Sequence, residues 1–313
     1  MSHNLSADNW RIAKDFADGR KQTLLVADYR SLEVGIQGDL CKRLFDDDQL
    51  IVAYAAQFDP KNPVDIHSNN AREVFGTWLK WVVPKRMLVK DERGNKVEVT
   101  PEYAGCNVNQ IPVAKFKKHP FGGLLREMIK AVWYGMAYGK REYGFQTLLG
   151  ADGKPIGEKM ALKMVNALLD AVPGMRRWDE WVTEFVREHH GIYSLGGRWC
   201  DLERECAGDC DDRDWDFKRA VRRALNFPMQ ATGAEIIGDA MVRVLRDKVL
   251  RKLGFRTCLQ VHDELVLRGP LDNVVEAQSR LVRHMREATA NGTQLLVQVE
   301  VSSSYADSYD KAK

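Results

Sequence analysis

No apolar stretch in this 313-residue sequence runs longer than a strand, so the chain has no candidate transmembrane helix. It also lacks a signal-like N-terminal segment, an internal repeat and a low-complexity tract. Those absences set aside the secreted, solenoid and fibrous classes. Cysteine is sparse: six residues, which without a secretory signal point to a reduced, cytosolic protein rather than a disulfide scaffold. Cys200, Cys206 and Cys210 follow His189-His190 but are spaced x5 and x3, and the paired C-x2-C of a zinc site is missing. A large excess of one charge sign is missing too. A net of +3 does not by itself announce a nucleic-acid binder.

What is present is a 44% hydrophobic composition, enough for one large domain or two. Three widely separated segments carry the chemistry. Thr23-Leu24-Leu25-Val26-Ala27 reads as a buried strand that ends at Asp28. Thr257–Val261 and Glu264–Leu267 are apolar stretches separated only by His262-Asp263, which predicts a tight hairpin with Asp263 at its tip. Carboxylates on rigid strand ends suit two Mg²⁺ ions about 3.5–4 Å apart, one activating an attacking oxygen and one stabilising the leaving oxygen. Mg²⁺ accepts a few carboxylates and completes its shell with water and phosphate. Either aspartate alone also fits an ordinary turn residue.

Between them, Leu124 to Tyr138 contains no proline and one internal glycine, Gly135, with Gly139 where a C-terminal cap belongs. Arg126, Lys130, Tyr134 and Tyr138 recur every four residues and so share one side of a helix, a stripe about 18 Å long. Two cations followed by two rings suit a nucleotide, the cations for phosphate and a ring for stacking. An amphipathic helix with inward tyrosines would show the same pattern.

Charge is unevenly spread. Thr77 to Pro120 holds nine Lys and Arg against four acids, a net of +5. Within it, Arg93-Gly94-Asn95-Lys96 lies between Met87-Leu88-Val89 and Val97-Glu98-Val99 and predicts a basic hairpin. It could touch template or a partner subunit, or be a solvated insertion. Asp201 to Asp216 holds eight acids against Arg204 and Arg213 and is expected on a solvent-facing loop.

Taken in order, these motifs resemble the family A DNA polymerases, bacterial polymerase I with its phage and mitochondrial relatives. Asp28-Tyr29-x-x-Leu32-Glu33 is similar to the first signature, Arg126 to Gly139 to the second, and Val261-His262-Asp263-Glu264 to the third. Asp65-Ile66-His67-Ser68 with Val74-Phe75-Gly76, and Asn226-Phe227-Pro228-Met229-Gln230-Ala231-Thr232, agree in order as well. Trp133 stands where the family commonly has Asn, Tyr134 where many bacterial members have Phe, and Ala231 where Gly is frequent.

The resemblance implies an α+β fold: a palm with an antiparallel sheet and inserted, largely helical fingers, the thumb being absent. The palm is expected at 1–48 and 191–313, and the fingers at 49–190 with the basic insertion near 77–120. It implies template-directed transfer of a deoxynucleotide to a primer 3′ end with two Mg²⁺. Asp28, Asp263 and the Tyr29 carbonyl would hold the metals, with Glu264 beside them. Arg126, Lys130 and His67 would contact the incoming triphosphate, with Lys130 countering charge on the leaving pyrophosphate. Glu33 would exclude a ribose 2′-OH, and Tyr134 would make the enzyme accept dideoxynucleotides. Tyr138 would stack near the template base, Asn226 and Gln230 would contact primer or template, and His262 the primer end.

The expected partners are primer-template DNA, dNTPs and a second protein chain carrying a thumb, with an exonuclease as a further element, and no membrane. The split arrangement, phage-encoded in one version, stands beside a fragment or a reduced enzyme. Two rivals remain. A non-catalytic palm and fingers remnant would have lost a metal carboxylate, and a single-subunit RNA polymerase is disfavoured by Glu33.

Overall fold

The computed structural model of the chain describes residues 21–90, 92–150, 154–208, 210–211 and 214–312. The fold is α+β. Its strands in chain order are β1 (Gln22–Tyr29), β2 (Met87–Lys90), β3 (Lys96–Val99), β4 (Gly191–Tyr193), β5 (Trp199–Asp201), β6 (Arg256–Val261), β7 (Glu264–Pro270) and β8 (Val301–Ala306). The chain divides into two compact units. One takes the described residues up to Gln37, Ser194–Arg198 and those from Met229 onward; the other takes Gly38–Tyr193 and Trp199–Pro228.

The first unit is built on a four-stranded sheet in the order β6-β7-β1-β8, with antiparallel neighbours throughout. Both faces of β1 are buried, which is why its sequence is an unbroken apolar run rather than an alternating one. Side chains alternate across a strand. Leu24, Val26 and Val266 therefore share one face, where they pack with Ala312 and the half-buried Leu259, Ala306 and Tyr309. Leu25, Ala27 and Tyr29 point to the other face, where the Tyr29 hydroxyl donates to the Met285 carbonyl at 2.7 Å. Met285 belongs to the Val274–Arg286 helix, which buries Val274, Ala277, Leu281 and Met285 along one side. Each large apolar side chain so buried contributes about 1.5–3 kcal/mol.

Two elements differ from the sequence expectation. The alternation from Leu295 to Val301 predicts a closing strand there, yet the strand runs from Val301 to Ala306. The register explains this: Val301 pairs with Tyr29, the last residue of β1, so the residues before Val301 have no strand beside them. The second case is the region around Pro228, where the sequence predicts two helices, Trp215 to Leu225 and about Gln230 to Leu250, parted by the proline. One helix runs instead from Trp215 to Arg246 with Pro228 inside it. Proline removes one backbone donor and crowds the preceding turn. The buried apolar side chains on both sides, Ala220, Ala224, Leu225, Met229, Ile236 and Ala240, hold the helix through it. It stops at Asp247, whose carboxylate accepts from Val249 N and Leu250 N and starts a short helix, Lys248–Lys252.

The second unit is mainly helical. Its central helix, Pro120–Ala137, is capped by the His119 ring, which accepts from Gly122 N, and has Pro120 in its first turn. It ends as its sequence requires. Gly139 takes φ +74°, and a Cβ there would press on Arg222 at its Cβ, Cγ and Cα. The internal glycine has a packing reason too, since a Cβ on Gly135 would strike the Phe145 ring. β2 and β3 form the basic hairpin expected from the sequence. Cys200, Cys206 and Cys210 are buried free thiols, with the Cys210 thiol on the Cys206 carbonyl. Burial pushes the Cys206 thiol up to about 12. The acidic run is not all solvated, because Glu205 is buried against Arg223.

Candidate active site

In the first unit the sheet register brings the outer motifs together. Asp28 pairs with Glu264 across β1 and β7, and Tyr29 N donates to the Asp263 carbonyl at 3.4 Å. Asp28 and Asp263 therefore occupy neighbouring register positions at one end of the sheet. Both are half-buried. The hairpin tip is a two-residue turn in which His262 takes φ 52° and lies exposed, its carbonyl accepting from the Gln260 side chain.

Glu264 shares Asp28's face and is buried, so its carboxylate needs a partner. The Tyr309 hydroxyl donates to it at 2.6 Å. Tyr29 turns its ring into the core, where burial raises its phenol well above the usual range, and only its backbone is left for the sheet end. Glu33 opens the Leu32–Phe45 helix, and its carboxylate accepts from the Gln230 amide. Two residues singled out separately in the sequence are thus in direct contact.

In the second unit the stripe is real but its charges are not equivalent. Arg126 is buried and makes a bidentate pair with Asp65, Nε to Oδ2 at 2.7 Å and Nη2 to Oδ1 at 2.9 Å, and it also reaches Glu127. Lys130 is half-buried and has no carboxylate within ion-pair distance among the described residues. Burial works to raise the Asp65 carboxyl, but the Arg126 guanidinium and the Ser68 donors outweigh it and hold the group well below the usual carboxylate range.

His67 lies close to the Trp133 and Tyr134 rings, with centroids at 5.8 and 5.6 Å, and its Nδ1 is buried without a hydrogen-bond partner. Burial, reinforced by Arg126 and Lys130 and opposed by Asp65, pushes the imidazole down to about 4. At neutral pH it has an N–H to give a phosphate but no charge. Tyr138, the C-cap residue, is exposed. Asn226 presents a buried Oδ1 with no partner.

A profile of DNA polymerase family A matches residues 109–311. The chain belongs to that family. It is 27% identical over 289 residues to DNA polymerase I of Caldicellulosiruptor bescii, covering 92% of this chain and 27% of that protein. It is 33% identical over 190 residues to DNA polymerase I of Chloroflexus aurantiacus, covering 59% of this chain and 18% of that protein. The fold is similar to the polymerase domain of Pol1 from M. smegmatis, solved with DNA primer-template and dNTP, at a TM-score of 0.66 and 24% identity over 97% of this chain and 41% of that one. This family A chain thus spans about a quarter of the length of the curated relatives it matches.

Two residues that position the family A motifs had no role in the sequence reading. Asp65 caps the Ile66–Ala71 helix, accepting from Ser68 N and Oγ at 2.8 and 2.6 Å, while it clamps Arg126. Its D-x-x-S pattern is a legible cap. The Arg126 partnership has no local signal, because the two lie on different helices. Tyr309, which holds Glu264, had no local signal either. Among the described residues no group of three or more His, Cys, Asp or Glu is arranged for a metal, and no helix is long and apolar enough to cross a membrane.

Proposed function

We propose that the chain carries out template-directed DNA synthesis, adding a deoxynucleotide to a primer 3′ end, with the first unit as palm and the second as fingers. The observation that carries this is the register of β1 with β7, which sets Asp28, Glu264 and Asp263 at neighbouring positions of one sheet end. That donor set fits Mg²⁺. Asp28 and Asp263 offer hard carboxylate oxygens that are partly exposed, Glu264 is buried beside them, and Asp263 has no ion pair among the described residues. Asp28 and Asp263 would hold two Mg²⁺ ions with the Tyr29 carbonyl. When bound, such ions lower the barrier by polarising phosphoryl oxygens and activating the attacking hydroxyl.

The chain's own residues divide the remaining work. Lys130 contacts the triphosphate and counters charge on the leaving pyrophosphate. Arg126 joins it only by loosening its hold on Asp65, and neutral His67 donates a hydrogen bond. Glu33, fixed by Gln230, fills the space a ribose 2′-OH would need. Tyr134 supports acceptance of chain terminators, and Tyr138 stacks on a base. Asn226, Gln230 and His262 contact primer and template. We further propose a thumb, on this polypeptide or on a second one, as the remaining DNA grip, with an exonuclease as a further partner element.

Single-nucleotide incorporation on a primer-template with Mg²⁺ tests the proposal. Asp28→Asn and Asp263→Asn are each expected to reduce the rate on the order of a thousandfold, the loss of several kcal/mol of charge stabilisation, with melting close to wild type. A rate near wild type for either variant overturns it.

A further inference from the structure

Asp65 does two jobs, and only one of them needs its charge. As the cap of the Ile66–Ala71 helix it offers Oδ2 to Ser68 N at 2.8 Å and to Ser68 Oγ at 2.6 Å. An uncharged asparagine or serine caps a helix as well. The second job is the grip on Arg126, whose Nε and Nη2 donate to the two carboxylate oxygens at 2.7 and 2.9 Å. That grip ties Ile66–Ala71 to Pro120–Ala137 within one compact unit. It is not sealed from water, since the Asp65 side chain is 30% exposed and the Arg126 side chain 10%. Such a pair is weak evidence of a purely stabilising role, because apolar packing of similar volume often serves stability as well.

The groups around the pair suit an anion. His67 stands two residues after Asp65 on the capped helix, 4% exposed, with Nδ1 buried and lacking a hydrogen-bond partner. Buried polar atoms are normally satisfied, so this one calls for a partner. Lys130 lies one turn beyond Arg126 on the same helix and has no carboxylate within ion-pair distance among the described residues. Arg126 is instead held by two acids, Asp65 and Glu127, and the two are not equal. The Glu127 side chain is 64% exposed, so water and salt screen it, whereas the Asp65 contact is bidentate and less exposed. Burial works to raise the Asp65 carboxyl, but the Arg126 and Ser68 donors prevail and hold it well below the usual carboxylate range. At neutral pH the clamp is therefore charged, and a competing anion is what can open it.

We propose that Asp65 is a positioning residue that competes with the incoming triphosphate for the Arg126 guanidinium and so sets nucleotide affinity. This rests on the polymerase reading of the site and adds its regulation. Lys130, without a clamp among the described residues, meets the phosphates first. Arg126 then passes from Asp65 to a ligand with enough anionic oxygens to replace both of its bonds. Where the binding-competent form is a minor fraction, apparent affinity falls by that fraction. An arginine that is off Asp65 about a tenth of the time weakens triphosphate binding about tenfold.

The test is isothermal titration of the full chain with inorganic tripolyphosphate, beside steady-state single-nucleotide incorporation on a primer-template. D65N keeps a capping side chain and removes the charge, and D65S, which also caps, is the second variant. Each should bind tripolyphosphate about tenfold tighter than wild type, and the nucleotide KM should fall in step while kcat does not rise. E127Q takes the same formal charge from the exposed side of Arg126, where screening already weakens it, and should move affinity by less than about twofold. D65N/R126Q should lose the gain, because the gain runs through the guanidinium. Unchanged or weaker binding by both D65N and D65S overturns the proposal and leaves Asp65 as a cap and a packing contact. Equal tightening by D65N and E127Q, or a gain that survives R126Q, overturns it as well, since bulk charge would then explain the effect. Tighter tripolyphosphate binding by D65N in a chain whose wild type incorporates no nucleotide supports the clamp while overturning the polymerase reading.

Discussion

The two units hold their charges by different means. In the first, Asp28 and Asp263 are placed by main-chain register: β1 pairs with β7, and Tyr29 N reaches the Asp263 carbonyl. In the second, Arg126 is placed by another side chain, the Asp65 carboxylate, and is largely neutralised by it. Main-chain placement asks nothing of the Asp263 carboxylate, which has no ion pair among the described residues, whereas side-chain placement spends part of the Arg126 charge on the fold. A cation already clamped must be released before it can serve a ligand, and Lys130, without such a clamp among the described residues, is ready at once.

The contrast breaks if the two kinds of placement respond alike to substitution. Asp65→Ala removes a helix cap and leaves the buried Arg126 with Glu127 as its carboxylate among the described residues. The expected loss is about 3 kcal/mol of unfolding free energy by urea titration, whereas Asp263→Asn should cost almost none. Similar losses for both would mean that the first unit's carboxylates are structural too.

The effect of pH on His67 sharpens the same contrast. Its folded value, about 4, lies below the ordinary imidazole value, so between those limits the unfolded chain binds a proton that the folded chain refuses. Stability therefore falls as pH drops from about 6.5 toward 4, by roughly 2–3 kcal/mol over that window. His67→Gln should flatten urea-derived stability there, and an unchanged pH slope would place the imidazole in contact with water. Asp65 acts lower and in the same direction. Its carboxyl is held down, so its contribution is present above the ordinary carboxylate range and is lost as pH falls below it.

The smallest expected effect concerns Glu33. Glu33→Ala should lower discrimination against ribonucleotides roughly tenfold, within the range that one hydroxyl's fit commands. The measurement is the ratio of kcat/KM for paired nucleotides. An unchanged ratio would leave the Glu33–Gln230 contact as helix packing.

Legibility followed the same division. The Asp28 strand and the Asp263 hairpin could be read because apolar runs and a two-residue turn are local patterns, and register then had little freedom. The central helix was readable through Pro120, Gly139 and a four-residue stripe. Arg126 was readable as a cation but not as a clamped one, since its partner is on another helix. The strand at Val301–Ala306 was misplaced because local alternation says nothing about where the neighbouring strand stops. The helix through Pro228 was missed because buried side chains outweighed a local breaker.

The register of β1 also governs the order in which the molecule can assemble. Leu25 finds its neighbours only in Leu267 and Tyr305. A nascent chain therefore carries β1 unpaired until Glu264–Pro270 and Val301–Ala306 emerge, while Gly38–Tyr193 is contiguous and can begin to consolidate before them. Sheets of such high contact order fold slowly and expose an open edge meanwhile. Synthesis interrupted before Val301 would leave β1 with one bare side, so incomplete products should aggregate through this sheet rather than through the helices of the second unit.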